Sequence, residues 1–398
     1  MSTETRSVST GQAFQFLDDF KIEIPSWGFA NTGTRFGKFV QAAAASTIEE
    51  KFADAAQVNR LTGATPTMAL HVLWDLPNGL GDIEKVKALE EQHGIRSGSI
   101  NPNLFQDQEY KFGSLCNPSP QIRAKALAHV VDSIRIAERL NSRDISLWLA
   151  DGSNYPGTQS IRRRAGWLEE ALQQAHEHLV SGQRLLVEYK PFEPAFYHTD
   201  IADWGMALHF AQSAGPQARV LVDTGHHYAA QNIEQIVAWL IHTGMLGGFH
   251  FNDRRYADDD LTLGSIDPYQ VFRIFHELHA ARAEDISLDV AFMIDQSHNL
   301  KGKIEATVQT IVTAQELWLK AALVDREELA SLQDSCDLVA AEELFRGAFW
   351  RDVRPLCAEW RKVRGLPIAP LEALREGGYV DRISLQRGGR SSTVNSYA

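Results

Sequence analysis

The stretch RVLVDTGHHYAAQNIEQIVAWLIHTGMLGGFHFND (residues 219–253) contains an apolar run, a polar loop, a segment of helical periodicity and a second apolar run. In its middle part Ile233, Ile236, Val237, Leu240 and Ile241 fall at the spacing that lays one apolar stripe against a sheet, and Asn232 stands where a helix cap belongs. The flanking runs RVLVDTG (219–225) and GGFHFND (247–253) are nearly all apolar up to their polar ends, as expected of strands covered on both faces of a parallel sheet. The spacing therefore predicts a strand, a crossover helix and a second, parallel strand.

The same rhythm recurs at IEIPSWGF (22–29), TMALHVLW (67–74), IRSGSI (95–100), DISLWLA (144–150), RLLVEYK (184–190) and ISLDVAFMID (286–295), which makes eight units with the pair above. Eight βα units predict an α/β fold, a closed (β/α)8 TIM barrel spanning residues 21–300. The first run contains a proline and the third is short and polar, but the fold class survives the loss of either. Residues 1–20 form an N-terminal segment in this reading, 301–385 a C-terminal helical extension, and 386–398 a flexible tail. No Gly/Ser linker cuts off a second domain, and no tandem repeat other than the βα unit is present.

Composition narrows the partners. The 398 residues are 44% hydrophobic, 23% charged and 9% aromatic, as in ordinary globular proteins. A formal net charge of −12 argues against a nucleic-acid partner, because phosphate-backbone binders gather Lys and Arg. Cys116, Cys336 and Cys357 are odd in number and widely spaced, so they read as reduced and structural. The start, MSTETRSVSTGQAFQFLDDF, shows neither a secretory signal nor an anchor, and no run approaches the ~18 apolar residues of a spanning helix, so a cytoplasmic protein with no membrane partner is expected.

In a barrel of this kind the chemistry lies at the C-terminal ends of the strands. The second strand ends in His71, Trp74 and Asp75; the fourth in Trp148 and Asp151; the fifth in Glu188 and Lys190. The sixth ends in Asp223, with His226 three residues on; the seventh in His250, followed by Asp253, Asp258 and Asp260; the eighth in Asp295. Neighbouring strands are about 4.8 Å apart, so these side chains crowd one mouth if they point inward. Buried carboxylates without partners are driven to protonate, and cations relieve that crowding. Carboxylates with imidazoles and no thiolates suit Mn2+, Co2+, Zn2+ or Mg2+ more than the ions of a sulfur-rich site, and the protein alone rarely decides among them. Glu188, Asp223, His250 and Asp295, from four successive strands, would ring one ion. His226, Asp258 and Asp260 would hold a second, with Glu188 bridging.

Each residue also has a plainer reading. The run Asp258–Asp260 taken alone is a solvated loop, His250 a core histidine, and the Asp223-Thr-Gly sequence a turn. The coincidence of metal-competent residues at the ends of four consecutive strands favours the joint site.

The blocks SWGFANTGTRF (26–36), LHVLWD (70–75), YKFGSL (110–115), WLADGSNYPG (148–157), EYKPFEPAFY (188–197), VDTGHH (222–227), GGFHFNDRRYADDD (247–260) and MIDQSHN (293–299) carry a resemblance. In their order and spacing they resemble the bacterial L-rhamnose isomerases related to xylose isomerase, from about residue 20 to the C-terminal helices. The resemblance implies a metal-dependent aldose–ketose isomerase that interconverts L-rhamnose and L-rhamnulose, with other rare sugars such as D-allose as further substrates, and a homotetramer. It places a structural ion on Glu188, Asp223, His250 and Asp295 and a catalytic ion on His226, Asp258 and Asp260, the two groups that strand order gives. His226 and Glu188 would also meet the sugar.

The chemistry of such a reaction assigns further roles. Lys190 would hydrogen-bond the carbonyl oxygen as it becomes an alkoxide, and a water beside Asp295 or Asp258 would move the hydroxyl proton. His71 would assist ring opening, unless it is a packed strand histidine. Trp148 and Trp74 would offer apolar faces to the sugar, with Trp27, Phe36 and Phe105 as further aromatic candidates. The sequence departs from the resemblance at Tyr189, where relatives can carry histidine, and at Arg254, Arg255 and Ala257, which puts substrate preference in question. Rival readings are a ketose 3-epimerase of the same barrel group, a metal-dependent endonuclease of related fold, and a barrel that binds sugar or metal without catalysis.

Overall fold

The computed structural model describes residues 9–31, 39–192, 198–256, 258–298 and 300–388. Its strands are β1 (Ile24–Pro25), β2 (Thr67–His71), β3 (Arg96–Asn101), β4 (Asp144–Leu147), β5 (Arg184–Glu188), β6 (Ala218–Asp223), β7 (Leu246–Phe251) and β8 (Ala291–Ile294). They lie in sequence order in one sheet, every neighbouring pair parallel. A parallel bridge between Glu23 and Met293 closes it: Glu23 N donates to Phe292 O (2.7 Å) and Ile294 N to Glu23 O (2.9 Å). The result is the TIM barrel that the eight-unit rhythm predicts.

Three strands differ from their predicted extents, each for a local reason. Pro25 has no N–H to donate, so β1 stops after two residues and Ser26–Phe29 winds into a 3-10 turn. The run 67–74 stops pairing at His71 and turns helical over Val72–Asp75, where Asp75 Oδ2 accepts from His71 N at 2.8 Å and from Ser26 Oγ at 2.5 Å. Of the apolar run 286–295 only Ala291–Ile294 pairs.

The polar β3 is regular except at one bulge. Gly98 and Ser99 together oppose Ala69, and both meet Glu23, a buried acid inside the barrel. Ser99 Oγ donates to Glu23 Oε1 at 2.6 Å, and a Cβ on Gly98 would fall 1.3 Å from Glu23 Oε2. Only glycine fits there.

On the other half of the barrel the interior is apolar. Leu186, Leu221 and Met293 pack together with Ala291. Two residues further along the same strands stand Glu188, Asp223 and Asp295, which the period of two places on the same inward face, one layer nearer the C-terminal mouth.

Helices Ile48–Thr62, Ile83–His93, Pro120–Arg139, Ile161–His176, Trp204–Ala214, Ile233–His242, Pro268–Ala283 and Lys303–Ala322 surround the sheet. The stripe Ile233, Ile236, Val237, Leu240 and Ile241 is buried throughout, and Asn232 caps its helix by accepting from Gln235 N. The Lys303–Ala322 helix packs against both Pro268–Ala283 and Ile48–Thr62, so it completes the ring as the eighth outer helix. The N-terminal Thr10–Asp19 helix, closed by a Ser9/Gln12 capping box, lies on that eighth helix. Five further helices follow, from Arg326–Asp334 to Tyr379–Arg387. The expected tail lies outside the described residues from position 389 onward. The three cysteines are free thiols, and no helix among the described residues is long and apolar enough to cross a membrane.

A buried ion pair ties the last helix to the barrel. Arg387 donates to both oxygens of Asp54 (2.8 and 3.0 Å), and the Tyr379 hydroxyl donates to the same carboxylate at 2.8 Å. Asp54→Ala leaves a buried guanidinium without its main partner, an expected loss of roughly 3 kcal/mol. The denaturant midpoint should fall accordingly, and an unchanged midpoint would contradict the assignment.

Candidate metal centre

Donor atoms of Glu188, Asp223, His250 and Asp295 all lie within 4.8 Å of one another, and so do those of Asp223, His226 and Asp258. The four strand-end residues thus converge as strand order predicts. Asp223 belongs to both groups, while Glu188 Oε1 sits 3.2 Å from His226 Nδ1 and 3.3 Å from His250 Nδ1. His226 Nδ1 is 3.0 Å from the main-chain oxygen of Tyr189, which leaves Nε2 turned toward Asp258 Oδ2 (3.4 Å) and Asp223 Oδ2 (3.7 Å). Asp295 Oδ1 accepts from Trp27 Nε1 at 2.8 Å.

The acidic loop splits by role. Asp258 and Asp260 line the cavity, Asp260 outside the Asp223–His226–Asp258 cluster and with a left-handed backbone (φ 47°). Asp259 turns away: its Oδ2 accepts from the main-chain N–H groups of Arg255 and Tyr256. Ala257 lies outside the described residues. Lys190 Nζ donates to Asp258 Oδ2 at 2.6 Å and stands 5.3 Å from the centre of the Trp148 ring.

The cavity in front of these groups encloses roughly 890 Å3 including its open mouth. One wall carries the ions' candidate ligands and Lys190. The other is aromatic: His71 packs against Trp27 (4.6 Å between ring centres), Trp74 (4.2 Å) and Phe105 (5.8 Å), and Phe105 against Trp148 (5.0 Å). Phe36 lies outside the described residues.

Electrostatics make the cluster a fit for divalent cations. Burial alone would depress His250, but Glu188 and Asp295 push it up to about 9. His226, depressed by burial, is held well above its usual range by Asp223 and Asp258. Burial would raise Glu188, yet the two imidazoles pull it down to about 2, while Asp223 is pushed up to about 7, mostly by burial. Asp223 Oδ2 is buried with no hydrogen-bond partner. An acceptor left in that state costs free energy that a cation would recover, and the donor set of carboxylates and imidazoles is one that divalent ions take.

A pH dependence follows from those directions. An imidazole must lose its proton to ligate an ion. Both imidazoles are raised above their ordinary value, so they hold protons through neutral pH and each ion must displace them. Apparent affinity for Mn2+ is therefore expected to climb with pH, by about tenfold per unit for each proton displaced, and the His250-dependent part to level off near about 9. Calorimetric titration in buffers of different ionisation enthalpy reads the proton release directly. Binding without proton release at pH 7 would refute the linkage.

Three strand-end carboxylates serve loops instead of the cavity. Asp75 pairs with the buried Lys51 at 2.5 Å. Asp151 accepts from Ser114 N, Cys116 N and Ser114 Oγ, and Asp253 from Ile266 N and Asp267 N. Cys116, Asp151 and Asp200 also cluster, but there the cation is already Arg164, 2.6 Å from Asp200.

The sequence reading passed over Asn252, which donates to Asp223 Oδ1 (3.0 Å) and to the main-chain oxygen of Asp295 (3.2 Å). Its place two residues beyond His250 was the available signal, since alternation returns it to the inward face. Asn101, Ser146 and Ser297 on the cavity wall were likewise not singled out.

A parallel eight-stranded barrel whose strand ends gather carboxylates and imidazoles at one cavity defines a barrel with a site that could hold divalent ions. Residues 62–288 match the family described as "Xylose isomerase-like TIM barrel". A Rhizobium meliloti (strain 1021) protein named "Probable sugar isomerase" is 39% identical over 375 residues, covering 92% of this chain and 86% of that one. A Mesorhizobium japonicum protein of the same description is 38% identical, with 93% and 87% covered. The chain belongs to the xylose isomerase-like TIM barrel family. Among solved structures, an L-ribulose 3-epimerase superposes with a TM-score of 0.56 at 16% identity over 78% of this chain and 98% of that one, a likeness of fold.

Proposed function

We propose that this protein is a divalent-metal-dependent aldose–ketose isomerase, acting on L-rhamnose and L-rhamnulose and on other rare sugars such as D-allose. The observation that carries the reading is Lys190: its ammonium is buried on Asp258, between two clusters of metal-competent donors and the Trp148 face. Glu188, Asp223, His250 and Asp295 would hold one ion, and His226, Asp258 and Asp260 the second, with Mn2+ the first candidate. When bound there, divalent ions would supply positive charge that stabilises the negative charge developing on the sugar's oxygens.

The chain's own residues do the rest. Lys190 Nζ donates to the carbonyl oxygen while the hydrogen on C2 passes to C1 and the two carbons exchange oxidation level, and its hold on Asp258 fixes its position before substrate arrives. Asp295 or Asp258 takes the hydroxyl proton and returns it to the neighbouring oxygen. Trp74 and Trp148 cover the C–H face of the sugar and keep water out of the cavity. His71 is depressed to about 3, first by burial and then by Lys51, so it is neutral at working pH and acts in ring opening as a hydrogen-bond partner.

A 3-epimerase would use two glutamates on opposite faces of the sugar. Among the described residues Glu188 is the one glutamate on the cavity wall, which favours isomerisation. The test is to strip the protein with chelator, restore Mn2+, Co2+, Zn2+ or Mg2+ singly, and follow L-rhamnose and D-allose by product identity. Ketose product with at least one ion supports the proposal; only C3 epimers, or no conversion with any ion, would overturn it. Homotetramer formation in the cytoplasm completes the proposal and is checked by sedimentation.

A further inference from the structure

Tyr189 and Arg254 face away from the cavity, yet both grip the loop that carries His226. Tyr189 lies between Glu188 and Lys190, and strand alternation turns its side chain outward. Its ring meets His227 edge-on with centres 5.3 Å apart, and its hydroxyl sits 2.6 Å from His227 Nε2, both side chains being buried. Its main-chain oxygen is the atom 3.0 Å from His226 Nδ1. From the other side, the Arg254 guanidinium donates to three main-chain oxygens of the same loop: Thr224 O (2.8 Å), His227 O (2.9 Å) and Tyr228 O (3.1 Å).

The loop is thus held by a buried side-chain bond and by three carbonyl contacts from one arginine. The loop adds no side chain to the apolar core, although Thr224, His226 and His227 are buried. What it does contribute is His226. Gly225 beside it has no room for a side chain, a Cβ there falling 2.6 Å from Asn252 Oδ1 and 3.1 Å from Asp258 Oδ1. The start of the loop is tied to the barrel end by Thr224 N on His250 O and Gly225 N on Asp223 Oδ1, while Tyr189 and Arg254 hold its outer half, so a shift of that half would move Nε2 away from Asp223 and Asp258.

We infer that Tyr189, through His227, and Arg254 are positioning residues that set His226 Nε2 for the second ion and thereby fix that ion's affinity, while touching neither ion nor sugar. The inference rests on the two-ion reading above. Groups that orient a metal-ligating histidine typically change metal affinity by 10–100-fold when removed.

The experiment is a calorimetric Mn2+ titration of the metal-stripped full-length protein and of Tyr189→Phe and Arg254→Met. His226→Ala and His250→Ala identify which binding step belongs to which group. Tyr189→Phe and Arg254→Met are each expected to weaken the His226-dependent step by about tenfold or more and to leave the His250-dependent step within about threefold of wild type. Turnover should recover toward wild type at saturating Mn2+, with the Mn2+ requirement displaced upward. The inference is overturned if both steps stay at wild-type strength in both folded variants, or if both weaken in equal ratio alongside a fall in Tm. Uptake of a single ion by the wild type would instead sink the two-ion reading, and this inference with it.

Discussion

Glu188→Gln is expected to bind neither ion tightly and to lose turnover by about 1,000-fold or more. Its carboxylate lies between both imidazoles, 3.2 Å from His226 and 3.3 Å from His250, and helps to raise both, His250 most directly. The amide has the same shape, so the fold should persist, but it removes one negative charge from a buried cluster that must accommodate two dications. Loss of an orienting partner alone costs 10–100-fold in metal affinity, and loss of a direct ligand costs more, above about 100-fold. Metal content after dialysis, measured beside turnover at saturating Mn2+, decides it. Wild-type content with normal rate would remove Glu188 from its bridging place.

Lys190→Met separates chemistry from metal binding. Methionine keeps an apolar stem against Trp148 but abolishes the ammonium that stands 2.6 Å from Asp258. If Lys190 stabilises the alkoxide only as it forms, kcat should drop by about 100-fold or more while KM changes little, because the lost contact strengthens in the transition state. Ions on Glu188, Asp223, His250 and Asp295 should remain. A kcat within about threefold of wild type would exclude Lys190 from the chemistry.

Much of this centre was legible in the sequence because a buried parallel strand announces its own end. The run RLLVE must stop where Glu188 appears, and the same holds for Asp223, His250 and Asp295; alternation then aims all four inward. What stayed hidden depended on distant partners. Asp75, Asp151 and Asp253 occupy strand ends as convincingly as Asp223 does, yet they are taken by Lys51, by main-chain N–H groups of 114 and 116, and by those of 266 and 267. A carboxylate that organises a loop and one that holds an ion look alike until the chain is folded.

Strand lengths were hidden for a related reason. Val72–Asp75 is as apolar as many strands, but Asp75 bonds back to His71 N and starts a helical turn. The polar β3 looked doubtful because its serines and glycine seemed out of place in a core. They become intelligible only opposite Glu23, a residue 76 positions from Ser99.

That pairing of an acid with a missing side chain has a further effect. Positions 23 and 98 behave as a single character: an alanine at 98 is tolerated only after the acid at 23 has been shortened, so the order in which the two changes arise decides whether the intermediate folds. A library that varies position 98 alone would score it as immutable, although the combination with a shortened residue at 23 is open.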